Sequence, residues 1–360
     1  MKIAMKLIAL AAATSFVASA QTPYKIAIVG LVHSHVWGHV NEMLHGKDVT
    51  LVGVAEPNPD LQAEAKKAGI PDALISSDYK KMLDEKKPDI IWAFVENNRH
   101  LEIVEVAAAR KINVIFEKPL ASTYKDALKI QELAKKSGIK IMCNYQMAWW
   151  PANYTAKRTS DSGALGQVYR LHGVVGHGGP GSEGVRNGTF FAWLTDPVKN
   201  GAGALMDFGC YNALWSLWYL GRPETVYAHV NHLRPDVFPK VEDNSDMILG
   251  YKNAVGIFEG SWDLPRSYQD LEVFGLKGSV YMKNGSVEKQ EGRTPKSPVE
   301  ITPLAPEDAA PVAYMVSRMR QNKPIEGMTA LEINVDVIEI IEAAKESVRT
   351  GKPVPLAPRK

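Results

Sequence analysis

Three short runs of this sequence carry side chains that can move protons or hold charge. The first is Glu117-Lys118-Pro119, which ends the apolar run at 113–116. Pro119 fixes its own φ and disfavours helix at Lys118, so the lysine is presented at a strand end, where an ammonium can bind a hydroxyl, an anion or a carbonyl oxygen. The second is Gly201-Ala-Gly203-Ala-Leu-Met-Asp207-Phe-Gly209-Cys-Tyr211-Asn212. Read as one helix, it sets Asp207 and Tyr211 four apart on one face, an acid and a phenol able to flank a sugar hydroxyl. The third is Gly30-Leu-Val32-His33-Ser34-His35-Val-Trp-Gly-His39, directly after the strand-like run 25–29. A nucleotide-binding loop carries glycines there; here His-x-His stands in their place. Each run also has a plain reading: a surface lysine beside a turn, a capped helix with a core tyrosine, and histidines that only pack.

These runs need elements to hold them. Between residues 24 and 145, short apolar runs at 25–29, 49–55, 89–95, 113–116 and 140–143 alternate with helical patterns at 34–45, 60–68, 100–110 and 123–137. That rhythm argues an α/β domain built on a doubly wound parallel sheet. Such sheets bind ligands at the carboxyl ends of their strands, where Lys118 and the histidine loop both fall. After Trp150 the rhythm changes. A helix at 151–160 leads to runs at 167–175, 225–232, 247–251, 254–262, 270–275 and 279–282, rich in Val, Tyr, Phe and Ile and separated by Gly, Asn and Pro turns. They read as a mostly antiparallel sheet, interrupted by a helix at 204–220 and followed by another at 330–349.

Composition excludes some classes. With 360 residues, 45% hydrophobic and 23% charged, the chain is an ordinary folded protein. Lys2 and Lys6, the apolar run 7–17 and Ala18-Ser19-Ala20 before Gln21 form the pattern of a secretory signal peptide over residues 1–20. The expectation is a periplasmic or secreted protein with no membrane segment after cleavage. Removing Lys2 and Lys6 brings the formal charge of +2 to zero, so there is no electrostatic case for nucleic acid. Two cysteines, Cys143 and Cys210, do not make a disulfide scaffold, and buried free thiols are expected.

Taken together, Glu117-Lys118-Pro119, the Asn97-x-x-His100 element before it and the glycine-rich Asp207-x-x-x-Tyr211 segment resemble the Gfo/Idh/MocA family, that of glucose–fructose oxidoreductase and inositol dehydrogenase. The likeness continues through Glu259-Gly-Ser-Trp262, Glu272-Val-Phe-Gly275-x-x-Gly278 and the tail 343–354. It implies an N-terminal Rossmann dinucleotide-binding domain (21–145) and a C-terminal α/β domain (146–329) with a large, mostly antiparallel open sheet. A final helix and tail (330–360) would pack back on the first domain. The sheet's open face implies a homo-oligomer.

By position, Lys118 resembles the family's lysine at the reacting hydroxyl and Asp207 the acid near it. Tyr211 stands where many members have histidine; a phenolate favoured by Lys118 would handle the proton. The implied cofactor contacts are Gly30, Val32, His33, Ser34, Glu56, Val95, Asn97, His100, Glu117 and Lys118. Glu56, ending the second strand, would accept from the adenosine ribose and repel a 2′-phosphate, favouring NAD over NADP. Val32 and His35 replace the second and third glycines of the fingerprint, yet a helix beginning near Ser34 still offers its N–H groups to a phosphate. Trp149 and Trp193 would stack on a carbohydrate, with His177 and Arg186 forming the wall of its site.

The resemblance thus implies an enzyme that passes a hydride between a sugar, sugar acid or polyol and a nicotinamide. Its rivals are an NAD-dependent glycosidase that transiently oxidises a ring hydroxyl, and a non-catalytic sugar-binding relative. A metal hydrolase built on His33-x-His35 lacks further ligands at metal spacing, so no metal is expected. If the leader is cut as its pattern predicts, N-terminal sequencing of the exported protein will begin at Gln21.

Overall fold

Ile26, Ala27, Ile28 and Val29 are all buried, as a strand covered on both faces requires. They belong to β1 (Tyr24–Val29) in the computed structural model, which describes residues 22–358; the expected leader lies outside the described residues. There follow α1 (Val36–His45), β2 (Val49–Ala55), α2 (Pro59–Lys67), β3 (Ile75–Ser76), α3 (Tyr79–Lys86), β4 (Ile90–Ala93), α4 (His100–Arg110), β5 (Asn113–Glu117), α5 (Tyr124–Ser137) and β6 (Ile141–Asn144). The strands form a parallel sheet in the order β3-β2-β1-β4-β5-β6. Winding reverses between β1 and β4, which opens a crevice at the carboxyl edge. Local signals explain the ends: Asn58 caps α2 ahead of Pro59, Thr123 caps α5, and Gly138 closes α5 at φ +75. The sequence pattern passed over α3 because it buries only Met82 and Leu83.

The second domain holds α6 (Pro151–Asp161), β7 (Val168–Gly176), α7 (Gly184–Leu194), α8 (Ala204–Asp207), α9 (Gly209–Leu220), β8 (Thr225–Asn231), β9 (Asn244–Gly250), β10 (Val255–Ser261), β11 (Tyr268–Gly275), β12 (Gly278–Lys283), β13 (Ser286–Glu291) and β14 (Ser297–Pro298). Then come α10 (Pro311–Arg320), α11 (Leu331–Thr350) and β15 (Val354–Pro355). The sheet order is β14-β13-β12-β11-β7-β10-β9-β8-β15, antiparallel except for the β7–β10 pair. α9 packs on its inner face and α11 lies between that layer and α5. The segment after α11 adds β15 to the edge of this sheet beside β8. α10 contributes Val312, Tyr314, Met315 and Val316 to the core around Ile26, Ile28 and Trp92 of the first sheet. Among the described residues no helix is long and apolar enough to cross a membrane.

Two expectations change. The helix expected over 204–220 is broken at Phe208 (φ −109, ψ −29), between α8 and α9. The carbonyl of Asp207 accepts from Lys118 Nζ at 3.2 Å and from Cys210 Sγ at 3.3 Å, while the Tyr211 amide turns to Phe208. The helix ladder gives way where a side chain from the other domain takes its acceptor. The stretch beyond the His177–Gly181 loop is helical, as α7, rather than a loop wall.

Gly30 is the point where the backbone leaves no choice. Its φ is +81, and a Cβ there would lie 2.5 Å from Val95 Cγ1 and 2.9 Å from the Phe94 carbonyl oxygen. Gly30→Ala should therefore destabilise by about 1–3 kcal/mol, read as a lower urea midpoint at unchanged m-value.

Candidate active site

Lys118 leaves the end of β5 ahead of a cis bond to Pro119, and its ammonium is buried against Asp207, with which it forms an ion pair. Asp207 reaches it from the end of α8, and the other oxygen, Oδ2, accepts from Trp262 Nε1 at 2.9 Å. Burial disfavours the charge on Lys118, but Asp207 outweighs it and holds the ammonium above the ordinary lysine range. Burial likewise opposes the Asp207 carboxylate, and Lys118 and Trp262 reverse the balance and hold it below the ordinary aspartate range. Lys118 Nζ also sits over the Tyr211 ring, 5.1 Å from its centroid. Tyr211 is corrected on one point. Burial pushes its phenol well above the ordinary range and Lys118 only partly offsets this, so the phenolate is not favoured.

The histidine loop meets this pair from the other side of the crevice. His35 Nδ1 lies 2.9 Å from Glu117 Oε2, and Asn144 Nδ2 donates to Glu117 Oε1 at 2.7 Å. Burial pushes the Glu117 carboxyl up, but the bonds from His35 and Asn144 hold it below the ordinary glutamate range. His33 is buried, which drives its pKa well down. Its ring packs on Phe190 and Trp193 of α7, and its Nδ1 accepts the His35 amide at 3.3 Å. His33, His35 and Glu117 bring three ligand-type atoms within 4.8 Å of one another. Glu117 is engaged through both oxygens, and each histidine through its Nδ1, His35 by Glu117 and His33 by the His35 amide.

A cavity of about 320 Å³ opens onto Ser34, His35, Lys118, His177, Asp207 and Tyr211 together, within the size range of small-ligand sites. Its aromatic and amide lining comes from Phe190, Phe208, Tyr268, Gln146, Asn187 and Gln269. None of these was marked by sequence spacing, because they arrive from four separate segments: Gln146, α7, Phe208 and β11. His177 stands in the wall, with Nδ1 accepting from the Gly179 amide at 3.0 Å. Burial lowers its pKa.

Three substrate assignments are corrected. Trp149 donates its Nε1 to Asn144 and packs on Tyr314. Trp193 donates its Nε1 to the Val32 carbonyl at 3.0 Å. Arg186 binds Glu64 at 2.7 Å and lies over the Trp37 ring, so it ties α7 to the first domain.

The cofactor assignments divide in the same way. Glu56 is buried, and its two oxygens accept the amides of Leu31 and Asn58 at 2.7 and 2.8 Å. Through these two bonds it shapes the loop. The helix after the loop starts at Val36, two residues later than expected, and the amides of Val36, Trp37 and Gly38 bond back to the carbonyls of His33, Ser34 and His35. Val95 forms the wall behind Gly30. Asn97 donates to Asn200 of the second domain at 2.7 Å, and His100 Nδ1 pairs with the Leu120 carbonyl at 3.0 Å. Burial holds His100 down to about 4.

A nicotinamide dinucleotide still finds matching groups here. Gly30 makes the tight turn, and the amides of Val32 and Ser34 donate to nothing among the described residues. Asn97 Oδ1 is buried without a partner. These are donors suited to a phosphate and an acceptor suited to an amide.

The fold and site define a two-domain α/β protein with a dinucleotide-type crevice closed by a second-domain acid. A family model described as an oxidoreductase family with an NAD-binding Rossmann fold matches residues 24–145, and the GFO/IDH/MocA C-terminal domain matches residues 154–281. The chain belongs to the Gfo/Idh/MocA family. It is 26% identical over 255 residues to levoglucosan dehydrogenase of Pseudarthrobacter phenanthrenivorans, covering 63% of each chain. It is 26% identical to D-glucoside 3-dehydrogenase of Escherichia coli, covering 75% of this chain and 70% of that one. The first match thus spans less than two thirds of that relative's length. In fold, the chain is similar to aldose–aldose oxidoreductase from Caulobacter crescentus, solved with glycerol (TM-score 0.78, 23% identity, 93% of this chain and 100% of that one). It is likewise similar to an inositol dehydrogenase homologue from Azotobacter vinelandii, solved with NAD+ (TM-score 0.79, 19% identity, 94% and 98%).

Breaking the central pair leaves a buried ammonium unpaired. Asp207→Asn is expected to cost about 3–5 kcal/mol. Because the folded-state pKa of Asp207 is depressed, the pair's stabilisation is present at neutral pH and lost as the pH falls through the acid range. Urea midpoints of the variant should fall less steeply on acidification than those of the parent.

Proposed function

We propose that this chain is an exported NAD-dependent oxidoreductase of a sugar, sugar acid or polyol. The observation that carries the reading is the meeting of Lys118, from the first domain, with Asp207 and Tyr211, from the second, in one cavity at the carboxyl edge of the parallel sheet. Relatives named for levoglucosan and D-glucoside oxidation support the carbohydrate class, and solved neighbours bound to NAD+ or NADH support the cofactor. The group supplies hydride acceptance when bound; the protein positions the alcohol.

Lys118, kept charged by Asp207, donates to the reacting oxygen and stabilises negative charge as it develops there. Tyr211 stays a phenol at neutral pH and acts as a second donor. With Nδ1 accepting from Gly179, a neutral His177 carries its proton on Nε2 and adds a third. Phe190, Phe208 and Tyr268 give the C–H face of a sugar an apolar surface.

NAD is preferred to NADP in this reading because Glu56, a buried acid directly after β2, would oppose a 2′-phosphate by its charge even while its oxygens hold the loop amides. Export rests on the pattern of residues 1–20. Assembly through the second sheet is supported by its outer face, where Tyr227, Ile248, Ile257 and His172 lie in register across four strands.

The test is titration of the mature protein with NAD+ and NADP+, followed by NADH formation on a panel of aldoses, glycosides and polyols. Lys118→Ala should lower kcat by about 10²–10⁴-fold while leaving NAD+ affinity within a few fold. Full turnover in that variant, or no affinity for either dinucleotide, would overturn the reading.

A further inference from the structure

Oxidising an alcohol requires a group that takes the hydroxyl proton, and most candidates in the cavity are disqualified. Lys118 is already an ammonium. Asp207 has one oxygen on Lys118 and the other on Trp262. Tyr211 accepts only after losing a proton that burial makes hard to lose. His177 has its Nδ1 lone pair on Gly179.

His35 remains. It lines the cavity, and its Nδ1 faces the buried carboxylate of Glu117 at 2.9 Å. An ionised carboxylate only accepts, so Nδ1 carries a proton, and in the neutral imidazole Nε2 is the nitrogen with the lone pair. Among the described residues nothing bonds Nε2. The carboxylate is itself fixed: Glu117 and Asn144 are register partners on β5 and β6, Asn144 Nδ2 donates to Oε1 at 2.7 Å, and Trp149 Nε1 donates to Asn144 Oδ1 at 2.7 Å. Four side chains thus run in series, Trp149 to Asn144 to Glu117 to His35, and end at the cavity.

We infer that His35 is the catalytic proton acceptor of this enzyme and Glu117 the residue that positions it, an inference that rests on the oxidoreductase reading above. As the substrate C–H bond breaks, its electron pair leaves with the hydrogen as hydride to an oxidised nicotinamide. The O–H bond breaks, its proton goes to His35 Nε2, and the C=O bond forms. Glu117 stabilises the imidazolium that results, and reduction of a ketone runs the same steps backwards. The histidine at the third glycine position is then chemistry in place of a phosphate contact.

His35→Gly is the discriminating variant, because it restores the glycine of a dinucleotide loop. NAD+ affinity by calorimetry should be unchanged or tighter, kcat should fall about 10²–10⁴-fold, and free imidazole should restore part of it. His35→Gln, closer in size, should lose the same turnover without rescue. Independently of cofactor, ¹⁵N spectra of histidine-labelled protein, with the His35 signals assigned by their loss in His35→Gly, should show a protonated Nδ1 and a bare Nε2. Glu117→Gln should weaken that tautomer. Wild-type turnover in His35→Gly, a protonated Nε2, or one equivalent of transition metal co-purifying on His33, His35 and Glu117 would overturn the inference. The tautomer is read without dinucleotide, so failure of the oxidoreductase reading and failure of the His35 reading register in different measurements.

Discussion

The site depends on one contact between domains, the buried ion pair of Lys118 and Asp207. Removing two charges from water costs several kcal/mol per ion, and attraction repays it only where the remaining hydrogen-bonding capacity is also met. Here Trp262 satisfies the second carboxylate oxygen, and the Asp207 carbonyl gives the ammonium another acceptor. The pair keeps Lys118 charged inside a cavity walled by aromatic rings. It also explains the break between α8 and α9, since the carbonyl that would continue the helix faces the lysine.

The loop after β1 departs most from the ordinary dinucleotide pattern, and its departures are mutually consistent. Side chains at 32 and 35 remove the close backbone approach that glycines allow. Glu56 accepts the Leu31 amide from the first domain, and Trp193 of the second domain donates to the Val32 carbonyl. The backbone at Gly30 is retained because Val95 and Phe94 leave no room for a Cβ. A loop held on both sides is stiff, and a stiff loop suits a side chain that must present one ring nitrogen to a cavity. α7 completes the arrangement, with Arg186 on Glu64 and Phe190 against His33 joining it to the first domain.

Much of the framework was legible in the sequence because it follows from local rules. Runs such as residues 26–29 must be buried strands, Thr123 and Gly138 mark the ends of a helix, and Pro119 presents Lys118 at a strand end. The triplet Glu117-Lys118-Pro119, with Asn97-x-x-His100 and Asp207-x-x-x-Tyr211, carried the resemblance to the family that the family models match. Two cysteines pointed to free thiols, and both are free and buried.

Tertiary structure alone decided which of these groups face one another, and in which protonation state. No spacing rule says that His35 meets Glu117 across 82 positions, that Trp149 supports Asn144 instead of a sugar, or that Arg186 ties two domains together. Nor does sequence give the balance of burial and bonding, in which burial keeps Tyr211 a phenol while the bonds from His35 and Asn144 overcome burial and keep Glu117 a carboxylate. Local propensity acts over a few residues, whereas ionisation and partner choice are set by atoms brought within 3–5 Å by the packing of two sheets. The sequence by itself therefore determined the elements and the chemical vocabulary; the packing decided how they are used.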